Sequence, residues 1–180
     1  MKKIFLSSKN KTDNNGKYSA IVDDELYDEL SKFNWSISSN GYAQRRIIKP
    51  DGSKSTISMH RQIMELTFGD SDYVDHINGN RLDNQKSNLR LCTHTQNIHN
   101  SKLSKRNKSE AKGVFHQHIE YETKKKGIVC KDYWRASIMV NRKNIFLGTF
   151  PYNPNGFAQA KKAYNDAAKK YYGQFAYLNP

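Results

Sequence analysis

Cysteine is nearly absent. The 180-residue chain has two, Cys92 and Cys130, and neither belongs to a Cys-x-x-Cys pair. That supports neither a disulfide framework nor a thiol-rich zinc site, and a reducing, cytoplasmic setting fits. Long apolar runs are also missing. Met1-Lys2-Lys3-Ile4-Phe5-Leu6 begins like a signal peptide, but its apolar run stops at Ser7-Ser8, too short for an h-region. No apolar stretch reaches the roughly 18 residues a membrane helix needs, so no membrane partner is expected. Acidic residues are the third shortage: 17 Asp and Glu face 30 Lys and Arg, for a net charge of +13. The shortage is local. Residues 1–100 hold 14 basic and 12 acidic side chains, whereas residues 101–180 hold 16 and 5, a net of +11. Such asymmetry points to a polyanionic partner, most simply nucleic acid.

Periodicity places the elements. Tyr18–Val22 reads as a strand, and Asp23-Asp24-Glu25 opens a helix with acidic residues at its N-terminus. Leu26, Leu30 and Phe33 give that helix an apolar face. Trp35–Ile37 and Tyr42–Ile47 form a hairpin around Ser39-Asn40-Gly41, and Pro50-Asp51-Gly52 is a turn. Thr56–Met59 is a strand leading into a helix over His60–Phe68. Ser101–Lys112 is polar and basic and reads as a linker. Beyond it, Gly113–Phe115, Tyr133–Val140 and Asn144–Phe150 are three strands, with Glu120–Lys131 as an extended loop between the first two. Phe157, Ala160, Tyr164, Ala167 and Tyr171 then recur at helical spacing and make one apolar stripe, and Gly173 is a C-cap signal.

The chemistry concentrates in Val74-Asp75-His76-Ile77-Asn78-Gly79-Asn80, followed by Asn88-Leu89 and Thr93–Asn97. A carboxylate and an amide oxygen suit a hard divalent cation, Mg²⁺ or Mn²⁺ rather than zinc. A histidine titrates near neutral pH and can serve as a general base. Adjacent strand residues point to opposite faces. Asp75 and His76 therefore share a site only if the backbone leaves regular β geometry there. Asn88 suits a loop-fixing role, hydrogen-bonding across the turn and so orienting His76. Cys92, His94 and His99 lack a fourth ligand and paired spacing, which argues against zinc.

The ordered pattern from Val74 to Asn97 resembles the HNH nuclease motif in its homing-endonuclease form. The resemblance implies a ββα-metal fold over about 73–100. It makes Asp75 and Asn97 the ligands of one divalent metal, His76 the base and Asn88 a structural member of the catalytic set. Many family members carry His where this chain has Asn97, and His94 and His99 stand nearby as alternatives. Lys112-Gly-Val-Phe, Tyr133-Trp-Arg-Ala, Phe146-Leu-Gly-Thr-Phe150, Ala163-Tyr-Asn-Asp-Ala-Ala168 and Ala176-Tyr-Leu-Asn179 resemble an AP2 domain. That family presents a three-stranded antiparallel sheet to the DNA major groove and backs it with a helix. Phe115 stands near where plant members place an arginine, so base preference does not carry over. Tyr18–Trp35, Gly41-Tyr42-Ala43 and Met59-His60-Arg61 resemble the leader that precedes the motif in AP2-containing homing endonucleases.

The expected architecture is α+β: a nuclease domain over 1–100, a basic linker over 101–111 and an AP2-like DNA-binding domain over 112–180. Arg135, Arg142 and Lys143 are the foremost DNA contacts, backed by Gln117 and Lys131, with Arg45, Arg46 and Arg61 in the nuclease half. Trp134, Phe146 and Phe150 are expected in the core. The partner is double-stranded DNA, and a phage or mobile-element origin is implied, which would place the chain in the host cytoplasm. No protein partner is evident. One active site per chain makes a monomer a nickase, whereas a homodimer would cut both strands. The alternative is a DNA-binding regulator with a vestigial nuclease motif.

Overall fold

The computed structural model describes residues 1–7, 18–67, 69–104, 107–124 and 127–180, of which Thr123 is placed by its backbone alone. The chain divides into two compact units, Met1–Ile98 and His99–Pro180.

In the first unit, strand β1 (Lys2–Phe5) pairs antiparallel with β2 (Ser19–Val22). The residues that mimic the start of a signal peptide are thus an ordinary strand. Helix α1 (Asp24–Leu30) follows, with Asp24 and Glu25 in its first turn. It stops at Leu30, so Phe33 lies beyond it. A meander of β3 (Ser36–Ile37), β4 (Ala43–Ile48) and β5 (Lys54–Ser58) comes next, then a short helix α2 (Met59–Ile63). The helix expected over His60–Phe68 is therefore only five residues long, and Phe68 lies outside the described residues. Glu65 explains the early stop: it takes a left-handed conformation, φ 57°, which a helix interior cannot accept.

Trp35 sits at the centre of this unit's core, with Ile4, Val22, Leu30, Ala43, Met59, Val74 and Leu89. Its indole Nε1 donates to the Leu30 carbonyl at 2.8 Å, which satisfies the one polar atom that burial would strand. The core reaches from β1 to the motif strands β6 (Tyr73–His76) and β7 (Leu89–Cys92). Helix α3 (His94–Asn100) follows β7.

The second unit is an antiparallel sheet ordered β10-β9-β8 with one long helix. Its strands are β8 (Val114–Thr123), β9 (Gly127–Val140) and β10 (Lys143–Pro151). Helix α4 (Pro154–Tyr172) starts where Asn153 accepts from Gly156 N at 2.8 Å and ends at Gly173, φ 56°. Ala160, Tyr164, Ala167 and Ala168 are buried against Val114, Ala136 and Ile138. Tyr171 is exposed, and Tyr172 takes its place in the packing.

Two further expectations, on Glu120–Lys131 and on Phe146, are corrected. Glu120–Lys131 is not a loop: β8 and β9 stay paired as far as Thr123↔Gly127. The polar end of the stretch read as a linker is tied down. Asn107 Nδ2 and Ser109 Oγ both donate to the Ala111 carbonyl, and Ala111 is fully buried. Phe146 is also not core; it is 55% exposed.

Candidate active site

The motif strands pair antiparallel, with Asp75 opposite Arg90 and His76 opposite Leu89. Val74, Asp75 and His76 are buried in succession. Two of these three are polar, so each must find a partner.

Asp75 finds Arg90. The guanidinium Nε and Nη2 donate to Asp75 Oδ2 at 2.9 and 2.6 Å. Breaking such a buried pair by removing one partner costs about 3–5 kcal/mol. By strand alternation His76 projects from the other side of β6. There its Nε2 lies 3.3 Å from Asn84 Oδ1, and its ring sits 5.1 Å from that of His60 and 5.9 Å from that of Tyr42. Pairing persists through His76, the last residue of β6, and the chain leaves the strand only beyond it. The chain turns just after it, where Gly79 N donates to the His76 carbonyl at 2.8 Å and Gly79 adopts φ 65°.

Burial lowers the His76 pKa; the Asn84 contact and the Asp75 and Asp83 charges push it partly back, and Arg81 opposes them. His60 is lowered to about 3, first by burial, then by His76 and Arg61. Both imidazoles are therefore neutral near pH 7.

The loop after His76 is held from several directions. Asn88 Oδ1 accepts from Asn78 N at 3.0 Å, and Asn88 Nδ2 donates to Asn78 Oδ1 and to the Asp83 carbonyl. Asp83 accepts from Asn78 Nδ2 and Gln85 Nε2. The loop also pairs with β2: Ile21 N donates to the Leu82 carbonyl and Asn84 N to the Ile21 carbonyl, both at 2.8 Å. The fully buried Asn84 side chain is thus carried by a backbone pinned on both sides.

Asn97 is half-buried in α3. The helix begins with a capping box: Thr93 N donates to Gln96 Oε1 at 2.8 Å, and Gln96 N donates back to Thr93 Oγ1 at 3.2 Å. Asp75 and Asn97 offer one carboxylate and one amide, an all-oxygen donor set that fits a hard divalent cation. The two histidine alternatives have ring partners. His94 packs on Tyr73 at 5.2 Å, and His99 stacks on Tyr172 at 3.6 Å.

The arginines of the first unit diverge. Arg61 donates to the carbonyls of Asp72, Thr67 and Asp70 and so holds a loop. Arg45 bonds Gln62 Oε1 and lies 3.9 Å over the Phe33 ring. Arg46 stays exposed. In the second unit, Gln117, Lys131 and Arg135 fall on one face of the sheet by alternation, with Phe115 and Phe146. Arg142 and Lys143 lie at the β9–β10 turn, where Asn141 and Arg142 both adopt positive φ. Sequence reasoning missed Asn84 and Arg90. Arg90 was findable in principle as the cross-strand partner of Asp75; Asn84 carries no signal beyond an Asn-rich loop.

Two comparisons bear on this site. A family model described as HNH endonuclease matches residues 58–99, the segment that runs from α2 through both motif strands into α3. An uncharacterized HNH endonuclease of Acanthamoeba polyphaga mimivirus is 30% identical over 164 residues, which cover 89% of this chain and 74% of that protein. The chain belongs to the HNH endonuclease family. No solved structure matches it. The matched segment contains His60, Asp75, His76, Asn84, Asn88, Arg90 and Asn97, and membership supports nuclease activity on DNA. The relative's similarity also extends well beyond that segment.

Proposed function

We propose that this HNH protein is a site-directed DNA endonuclease. In this reading His76 is the general base, Asp75 and Asn97 are the metal ligands, and the sheet of the second unit is an AP2-like targeting surface. The observation that carries the reading is the state of His76: buried, neutral and oriented inside the family-matched segment. Neutral imidazole is the form that can take a proton from water. Asn84 fixes the ring's orientation and biases which nitrogen carries its proton. Asn88 fixes the loop that carries Asn84. Arg90 aims the Asp75 carboxylate. A divalent cation held by Asp75 and Asn97 would neutralise charge at the scissile phosphate and at the departing 3′ oxygen.

Targeting rests on the second unit. Gln117, Lys131 and Arg135 share the sheet face that α4 leaves open, where side chains of these types can read base edges. Arg142 and Lys143 project from the adjoining turn and suit phosphate contact. Arg46 adds a contact in the first unit, whereas Arg45 and Arg61 serve the fold. A homing role in a mobile element is consistent with a nuclease and a targeting module on one chain.

The test is a supercoiled plasmid carrying candidate target DNA, incubated with Mg²⁺ or with EDTA. Conversion to open circle with Mg²⁺ alone is the expected result. Tight binding without cleavage in Mg²⁺ or Mn²⁺ would overturn the reading in favour of a DNA-binding regulator.

A further inference from the structure

The long β8–β9 hairpin brings together side chains that lie far apart in sequence. The register sets Glu120 directly opposite Cys130 and His118 opposite Asp132. Strand alternation puts all four on one face, with His116 one step further along. The ligand atoms of His118, Glu120 and Cys130 lie within 4.8 Å of one another, and all three residues are exposed. Asp132 Oδ1 contacts His118 Nδ1 at 2.9 Å and His116 Nε2 at 2.7 Å.

We propose that this face of the hairpin binds a borderline divalent transition ion, Zn²⁺ foremost, through His118, Glu120 and Cys130. The donor set decides the class of metal. One imidazole, one thiolate and one carboxylate suit zinc, whereas Mg²⁺ prefers oxygen donors throughout. Three protein ligands leave the fourth tetrahedral position to water. Zinc–ligand bonds of about 2.0–2.3 Å put neighbouring donor atoms roughly 3.3–3.8 Å apart. The observed cluster therefore needs only about 1 Å of contraction, within reach of exposed side chains on a fixed ladder. Asp132 supplies the outer partner that metal-binding histidines commonly have: its carboxylate on His118 Nδ1 orients the ring and leaves Nε2 to the metal.

The backbone is preorganised for this. The ladder runs without a register break from Val114↔Ala136 to Thr123↔Gly127. A bound ion would cross-link the strands beyond the stretch that packs on α4. The opposite face of the same strands carries Gln117, Tyr121 and Lys131, so the metal would stiffen the surface proposed to meet DNA. The site is separate in chemistry from the oxygen pair Asp75 and Asn97, and the inference does not depend on the nuclease reading.

The test uses the full chain, stripped with chelator and titrated with Co²⁺ as the spectroscopic probe. One equivalent should bind and give a thiolate-to-cobalt charge-transfer band, which Zn²⁺ then abolishes and a large excess of Mg²⁺ leaves intact. Cys130→Ser should remove the band, and His118→Ala should weaken binding at least 10-fold. Both positions are exposed, and circular dichroism checks the fold. Glu120→Gln gives a third, milder arm if either variant misfolds. The proposal is overturned if no thiolate band forms at one equivalent, if excess Mg²⁺ displaces the cobalt, or if none of the three substitutions changes binding.

Discussion

The buried His60 makes acid sensitivity a quantitative prediction. The residue is 8% exposed, Nδ1 has no hydrogen-bond partner among the described residues, and its pKa falls from 6.5 to about 3. His76 packs edge-on against it, Tyr42 lies 5.0 Å away and Arg61 adds unfavourable charge. A folded-state pKa below the unfolded value means that the unfolded chain binds the proton more tightly. The stabilising contribution is therefore complete above pH 6.5 and is lost as pH falls toward 3. Each pH unit inside that window costs about 1.4 kcal/mol, so pH 5 costs about 2 kcal/mol relative to pH 7. For a unit of this size that is a fall in Tm of about 8–16 °C. His76 is shifted in the same direction and adds to the effect. His60→Leu removes one of the two groups. It also removes the orphaned Nδ1, whose burial costs about 1–3 kcal/mol, so the variant should lose little stability at pH 7. Thermal unfolding followed by circular dichroism at both pH values gives the double difference. The variant should lose at least 1 kcal/mol less than the wild type between pH 7 and 5. Equal losses would refute the argument that His60 is held neutral by burial.

Other substitutions test the remaining parts. Asn88→Ala removes three hydrogen bonds to Asn78 and Asp83, and chemical denaturation should show a loss of about 3 kcal/mol at about 1 kcal/mol per bond. Asn84→Leu should lower the cleavage rate constant with little change in DNA affinity, and ¹⁵N NMR should show an altered His76 tautomer balance; an unchanged rate constant would remove Asn84 from the positioning scheme. Gly113→Ala should unfold the second unit. At φ 71° the added Cβ would lie 2.1 Å from the Tyr164 ring and 2.6 Å from the Ser137 carbonyl. DNA affinity should fall steeply with salt. Arg142→Ala and Lys143→Ala should each reduce the slope of log K against log salt by about 1, whereas Arg61→Ala should leave that slope unchanged.

Most elements with local signals were legible in the sequence. The apolar stripe of α4 and its stop at Gly173, the acidic opening of α1 and the turn at Pro50-Asp51-Gly52 all announce themselves through short-range chemistry. Contacts set by pairing were not. The outer half of the β8–β9 hairpin is rich in lysine and glutamate, which resembles a solvated loop until the two strands are aligned. Phe146 reads as core by hydrophobicity, yet the register shift between Phe146 and Gly148 accompanies its placement on the open face. Tyr171 and Tyr172 are adjacent aromatics at the end of the helical stripe, and spacing alone did not decide which one packs. At the candidate site the motif residues were visible, but their supports were not. Arg90 and Asn84 acquire meaning only once β6 meets β7 and the loop docks on β2.

The central claim is that His76 carries the proton-transfer step in metal-dependent DNA cleavage. Single-turnover cleavage of target DNA in Mg²⁺, wild type against His76→Ala, tests it most directly, with binding measured in parallel. The account predicts a rate constant reduced by at least 100-fold at unchanged affinity, since general base catalysis contributes about 10²–10⁴-fold. A variant that binds and cleaves like the wild type would contradict it.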